Sequence, residues 1–247
     1  MTESVGQNFW EQTKPAHMPE SAQRKGLPQP PLELPYDPNA ILIKLVDIPT
    51  IELPKTDLWQ VIEQRTTLRH YSQEGISQDE LALLLWATQG IKEITQRPVT
   101  FRTVPSAGAR HAFETYLLLN QVEGIKPGLY RYIASKHALL GLEFAADLNE
   151  RITQACMNQR QVTSSAVTFL WVAVLDRMYW RYPERGYRYL LLDAGHVCQN
   201  LYLAAEGLGC GVCAIAAYDD DLLNAALKLD GENLFTVYAA SVGKKKP

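Results

Sequence analysis

The segment RYLLLDAGHVCQNLYLAAEGLG, residues 188–209, is apolar on nearly every face. A helix of that kind has to be buried all round, either inside a domain or between subunits. Ala194 and Gly195 in its middle cost helix stability unless another backbone packs closely there, which favours a helix–helix contact at that point. Just before it lies AVTFLWVAVLD, residues 166–176, whose β-branched and aromatic content suits a central strand. Burying both requires a large core, and 247 residues with 47% hydrophobic content supply one.

The remaining elements mix without regular alternation. TDLWQVIEQR has helical spacing at Leu58, Val61 and Ile62. SQDELALLLWATQGIK opens with a Ser-x-x-Glu capping box at Ser77 and Glu80 and closes at Gly90. ETYLLLNQVEGIKPGLYRYIASKHALLGLE reads as strands joined by Gly and Pro turns, and residues 146–165 read as one helix. A strand at VCAIAAY, a helix capped near Asp219 to Asp221 and a last strand LFTVYAASVG complete the chain. The expected class is α+β, a mixed or antiparallel central sheet flanked by helices. Nine of the fourteen prolines precede residue 55, so residues 1–56 read as a proline-rich extension. It is expected to cross the surface of the core, or of a partner subunit, in polyproline-like form. Up to about residue 26 a disordered tail remains an alternative. Residues 57–247 form the main domain.

Composition narrows the function classes. A net charge of -3 and no basic stripe give no general attraction to nucleic acid or anionic membranes. No signal sequence and no apolar run of membrane-spanning length is present, and four cysteines are too few for a disulfide scaffold, so a cytoplasmic protein with reduced thiols is expected. GLGCGVC at 207–213 fails as a dinucleotide fingerprint because it leads into a strand rather than a helix. Cys210-x-x-Cys213 likewise precedes a strand and reads as packing, with dithiol chemistry the alternative. His196 and Cys198 stand too far from that pair for a zinc knuckle, so no metal is expected. No hydrolase nucleophile motif appears.

Three stretches remain: RTTLRHY at 65–71, VPSAGARHAFE at 104–114, and residues 193–220 with AIAAYDD at their end. Small residues between Arg102 and Arg110 let a backbone approach something polar or anionic. In this order, with LLLWATQGI and GLYRY, the stretches resemble the nitroreductase superfamily of flavin enzymes, more narrowly its SagB-type, azoline dehydrogenase-like branch. The resemblance implies flavin mononucleotide (FMN) as cofactor, held by Arg65, Thr67 and Arg69 of an Arg-x-Ser-x-Arg/Lys motif in which Thr67 keeps the hydroxyl. It implies a loop, Pro105, Ser106, Ala107 and Gly108, laid on the flavin across a homodimer interface. It places the backbone of Ala216 and Ala217, the amide of Gln159 and the cations Lys244 and Lys246 at the cofactor too, although a frayed, solvated lysine tail is an equal reading of the last two. NADH or NADPH is the implied electron donor, with a small conjugated or heterocyclic acceptor. Where azoline-oxidising relatives carry Lys-Tyr, this chain has Arg181 and Tyr182; arginine does not give up its proton, which argues against azoline oxidation. Tyr182 can donate a proton or simply pack. A flavin-fold scaffold subunit that has lost catalysis stays open as the alternative to an enzyme.

Overall fold

The computed structural model describes residues 4–53, 55–96 and 99–246. In chain order the elements are α1 (Val5–Gln12), β1 (Leu42–Lys44), α2 (Leu58–Gln64), α3 (Gln78–Gln89), β2 (Ile91–Ile94), β3 (Thr100–Arg102), β4 (Phe113–Leu119), β5 (Gly128–Ile133) and β6 (Ala138–Glu143). There follow α4 (Leu148–Ala155), α5 (Arg160–Ser164), β7 (Val167–Val174), α6 (Leu175–Tyr179), α7 (Gly186–Gly207), β8 (Cys210–Ile215), α8 (Asp220–Ala226) and β9 (Leu234–Lys244). Seven strands form one sheet in the order β1-β6-β5-β4-β7-β9-β8, every neighbouring pair antiparallel. The fold is α+β.

Side-chain alternation decides how the layers stack. Successive residues of a strand point to opposite faces, so a strand apolar at every position needs cover on both sides. Along β7, Phe169 and Trp171 join one core with Leu84 and Leu85 of α3 and Val197 and Leu201 of α7. Leu170 and Val172 join a second core with Ile152 of α4, Val162 of α5 and Leu223 of α8. Fully burying one such aliphatic side chain contributes about 1.5–3 kcal/mol. The capping box at α3 forms on both sides, Ser77 accepting from the Glu80 amide and Glu80 accepting from the Ser77 amide.

Two expectations need correction, and a third is narrowed. The helix read across 146–165 is two helices, because Met157 and Asn158 take left-handed backbone (φ 54 and 57) that no α-helix accommodates. The arm is not polyproline-like throughout: it begins with α1, closed by a capping box of Ser4 and Gln7. Of the two readings of α7, burial inside the domain accounts for only part of its surface, which leaves burial between subunits for the rest. Its Ala194 is buried, but Gly195 has nothing within 4 Å of a would-be Cβ, and Leu191 and Leu192 are 60% and 61% exposed.

The arm does cross its own core. Arg177 Nε donates to the Pro31 carbonyl (2.7 Å), Arg131 Nη2 to the Leu34 carbonyl (3.0 Å), and the Leu34 amide to Glu114 Oε1 (2.8 Å). Glu114 is buried and ion-paired to Arg177 at 2.6 Å, so arm and sheet share one desolvated charge cluster. No helix among the described residues is long and apolar enough to cross a membrane.

Candidate functional site

Arg65 ends α2, and the next residues lie along the open edge of β8. The Leu68 amide donates to the Val212 carbonyl (2.9 Å) and the Ser72 amide to the Lys244 carbonyl (2.9 Å). Glycine makes this approach possible: a Cβ on Gly211 would stand 2.4 Å from Leu68, and one on Gly243 would stand 2.6 Å from the Tyr71 ring. So pinned, residues 65–69 meet α7 at Tyr202. Thr67 Oγ1 is 3.2 Å from the Tyr202 hydroxyl, which also accepts from the Ala214 amide at 3.0 Å, and the Arg65 guanidinium lies 5.3 Å from the Tyr202 ring centroid.

A polar chain continues from there. Arg69 lies beside Cys213, whose thiol burial pushes up and the guanidinium pulls down. Gln161 donates to Gln159 Oε1 (2.7 Å) and lies 3.8 Å from Cys213 Sγ; Gln159 in turn donates to the Ala217 carbonyl (2.7 Å). Arg65, Thr67, Arg69, Gln159 and Ala217 therefore share one edge of the sheet, with Ala216 exposed beside Ala217. Neither Arg65 nor Arg69 is in an ion pair among the described residues. Lys244 ends β9 and is ion-paired with Glu80, and Lys246 is exposed beyond it.

The loop Pro105 to Gly108 lies elsewhere and is held by a carboxylate. Asp193 of α7 accepts from Ser106 Oγ (2.6 Å) and from the Ala107 amide (3.2 Å), while Ser106 Oγ accepts from the His111 amide (2.9 Å). Burial pushes the Asp193 carboxyl up and these two donors pull it down. Gly108 has φ 57, where a side chain is strained, and a Cβ there would stand 2.6 Å from the Tyr182 hydroxyl and 3.0 Å from Arg181. The loop and the Arg181-Tyr182 pair are thus in contact. Tyr182 packs edge-on against Tyr189, ring centroids 4.8 Å apart.

These two groups of residues do not meet within one chain. Asp193 and Tyr202 are nine residues apart on α7, which sets them about 13 Å apart along the axis and on opposite faces of the helix. Leu191, Leu192, Gly195 and His196, on the turns around Asp193, are exposed. Sequence reasoning missed Tyr202, Gln161, Cys213 and Asp193 as members of the site. One signal was available: a carboxylate in the middle of a largely apolar helix needs a partner.

His111, just after the loop, is buried beside Arg102, and its pKa is pushed down to about 3, by burial first and then by the nearby guanidinium. The unfolded imidazole takes a proton below about pH 6.5 and the folded one does not until about pH 3, so this contribution to stability is present above 6.5 and is lost as pH falls. Between pH 6 and 4 the unfolding free energy of the wild type should fall about 1.4 kcal/mol per pH unit more steeply than that of His111→Asn. Denaturant titrations across that range check it; parallel profiles would contradict a neutral buried His111.

Comparison with known proteins adds a family. A model described as the nitroreductase family matches residues 62–244. The chain is 30% identical over 184 residues to the putative nitroreductase MJ1384 of Methanocaldococcus jannaschii, covering 74% of this chain and 89% of that protein. A putative nitroreductase structure from Anabaena variabilis superposes with TM-score 0.69 at 27% identity, over 85% of this chain; the chain spans only 42% of that longer protein. A putative nitroreductase from Desulfovibrio desulfuricans, solved in complex with FMN, shares the fold at TM-score 0.55 and 19% identity, over 78% of this chain and 88% of that one.

Proposed function

This chain belongs to the nitroreductase family, and on that premise we propose that it is an FMN-dependent oxidoreductase that passes two electrons between NADH or NADPH and a small conjugated or heterocyclic acceptor, working as a homodimer. The observation that carries the reading is the division of the site across α7. A cationic, hydroxyl-bearing cradle (Arg65, Thr67, Arg69) stands on one face and a loop almost free of side chains (Pro105 to Gly108) on the other. A second copy related by a two-fold axis would bring the loop of one chain to the cradle of the other. The open stripe of α7 supports this pairing, because Leu58, Trp59 and Ile62 of the adjacent α2 are exposed along with Leu191 and Leu192, more unpartnered apolar surface than single scattered residues would give.

The residues present suit FMN. Two guanidinium groups without carboxylate partners among the described residues match a phosphate and the electron-rich edge of the flavin ring, and at Gly108 the absence of a side chain is what lets the loop pack against Arg181 and Tyr182. Bound there, FMN would supply the two-electron carrier. The protein's own part is positioning and charge. Arg65 and Arg69 neutralise, the Gln159–Ala217 pair fixes the backbone that faces the ring, and Asp193 holds the loop so that Ser106 and Ala107 keep one conformation. Lys246 adds a cation to the phosphate end, and Lys244 does so where its ion pair with Glu80 opens. At the loop, the Arg181 guanidinium offers positive charge to an acceptor, while the Tyr182 hydroxyl is the group able to deliver a proton. The same arginine argues against the azoline dehydrogenase reading, which needs a proton acceptor at that position. The scaffold alternative predicts no response to nicotinamide.

Purified protein should be yellow with one flavin per chain, and NADH or NADPH should bleach it anaerobically. A coloured protein that neither nicotinamide reduces would favour the scaffold reading; a colourless one that takes up no added FMN would remove the enzyme reading.

A further inference from the structure

Arg181 and Tyr182 form the inner end of a groove of about 670 Å³ whose outer wall is the N-terminal arm. That volume lies within the usual range for a small-molecule site. Arg181 and Tyr182 also lie against Gly108, so this end of the groove adjoins the loop that carries the proposed flavin contact. Its charge is one-sided: Arg24 on the arm, Arg181 and Arg185 contribute three guanidinium groups, and Glu20 the one carboxylate. Arg185 is occupied, donating to the Thr13 carbonyl (3.0 Å) and the Tyr189 hydroxyl (2.9 Å). Arg24 and Arg181 are exposed and have no carboxylate partner among the described residues. Besides the polar Ser21 and Gln23, the lining includes the rings of Tyr182 and Tyr189 and the prolines Pro15 and Pro19 of the arm.

We propose that this groove binds an aromatic or heteroaromatic carboxylate, with Arg24 of the arm and Arg181 gripping the carboxylate and the tyrosine rings packing against the conjugated body. This rests on the flavin reading for its orientation, but not for the binding itself. A planar carboxylate matches the guanidinium fork, and the ring matches the aromatic walls. The arm is then a specificity element: its anchoring to the body through Trp180 Nε1 and the Leu27 carbonyl (2.9 Å), and through the Gln23 amide and the Trp180 carbonyl (2.8 Å), keeps Arg24 in the same groove as Arg181.

The test compares 4-nitrobenzoate with its neutral isostere 4-nitrobenzamide, binding measured by calorimetry on the full chain as purified, at low and high salt. The wild type should bind the carboxylate about tenfold more tightly at low salt, with the margin shrinking as salt rises. Arg24→Gln should cut the margin several-fold while leaving the amide's affinity in place, and Arg24→Lys should keep part of it. Equal affinity for the two compounds in the wild type, or a margin that Arg24→Gln leaves intact, overturns the proposal. A margin that appears in colourless protein supports the groove while removing the flavin reading, so the two failures are distinguishable.

Discussion

Replacing both Arg65 and Arg69 by alanine should weaken FMN binding about a thousandfold. A hydrogen bond to a charged group is worth about 1.5–3 kcal/mol. Two such contacts, discounted because both side chains are partly exposed, come to about 4 kcal/mol, which is the stated factor. The folded protein should tolerate the change, because neither guanidinium is in an ion pair among the described residues and what Arg65 does inside the chain is lie over the Tyr202 ring. Titrating FMN into flavin-free protein by fluorescence quenching, with a thermal melt of the same sample, separates the two effects. Thr67→Val should cost less, because it removes one neutral hydroxyl whose present partner is the Tyr202 hydroxyl.

The second large effect should follow from Leu191→Asp combined with Leu192→Asp. Both side chains are about 60% exposed in the single chain, so two carboxylates there leave the chain's own core untouched. In a dimer they would be desolvated against a second copy, which is strongly unfavourable for unpaired charge. The variant should therefore remain folded, sediment as a monomer and lose FMN at least a hundredfold, even though no residue of the cradle or the loop has changed. A monomeric variant that keeps wild-type flavin affinity would mean that one chain completes the site alone.

Much of this architecture was readable from the residues because its signals are local. Ser77 and Glu80 announce the start of α3, and the apolar run of β7, interrupted only by Thr168, announces a strand covered on both faces. The glycine and alanines after Ser106 announce a loop that something approaches closely. What escaped was long-range or conformational. Tyr202 and Asp193 act on partners 135 and 87 residues away, and nothing in their neighbourhood says which face of α7 each occupies. The break at Met157 and Asn158 is a choice of left-handed backbone that a methionine gives no reason to expect. The Ser4 and Gln7 capping box at the head of the arm was a local signal too, hidden by the prolines that follow it. The open face of α7 lies between these cases: its apolarity was plain in the sequence, and the structure adds that a single chain leaves part of it uncovered.

The most direct measurement pairs two damaged proteins. Arg65→Ala with Arg69→Ala destroys the cradle, and Gly108→Val destroys the loop by driving a side chain into the Tyr182 hydroxyl. Each alone should be colourless. Co-expressed with different tags and left to pair at random, they should regain flavin at roughly one site in four, because half the dimers are mixed and each mixed dimer holds one intact cradle facing one intact loop. Mixed dimers that stay colourless would contradict a site shared between two chains.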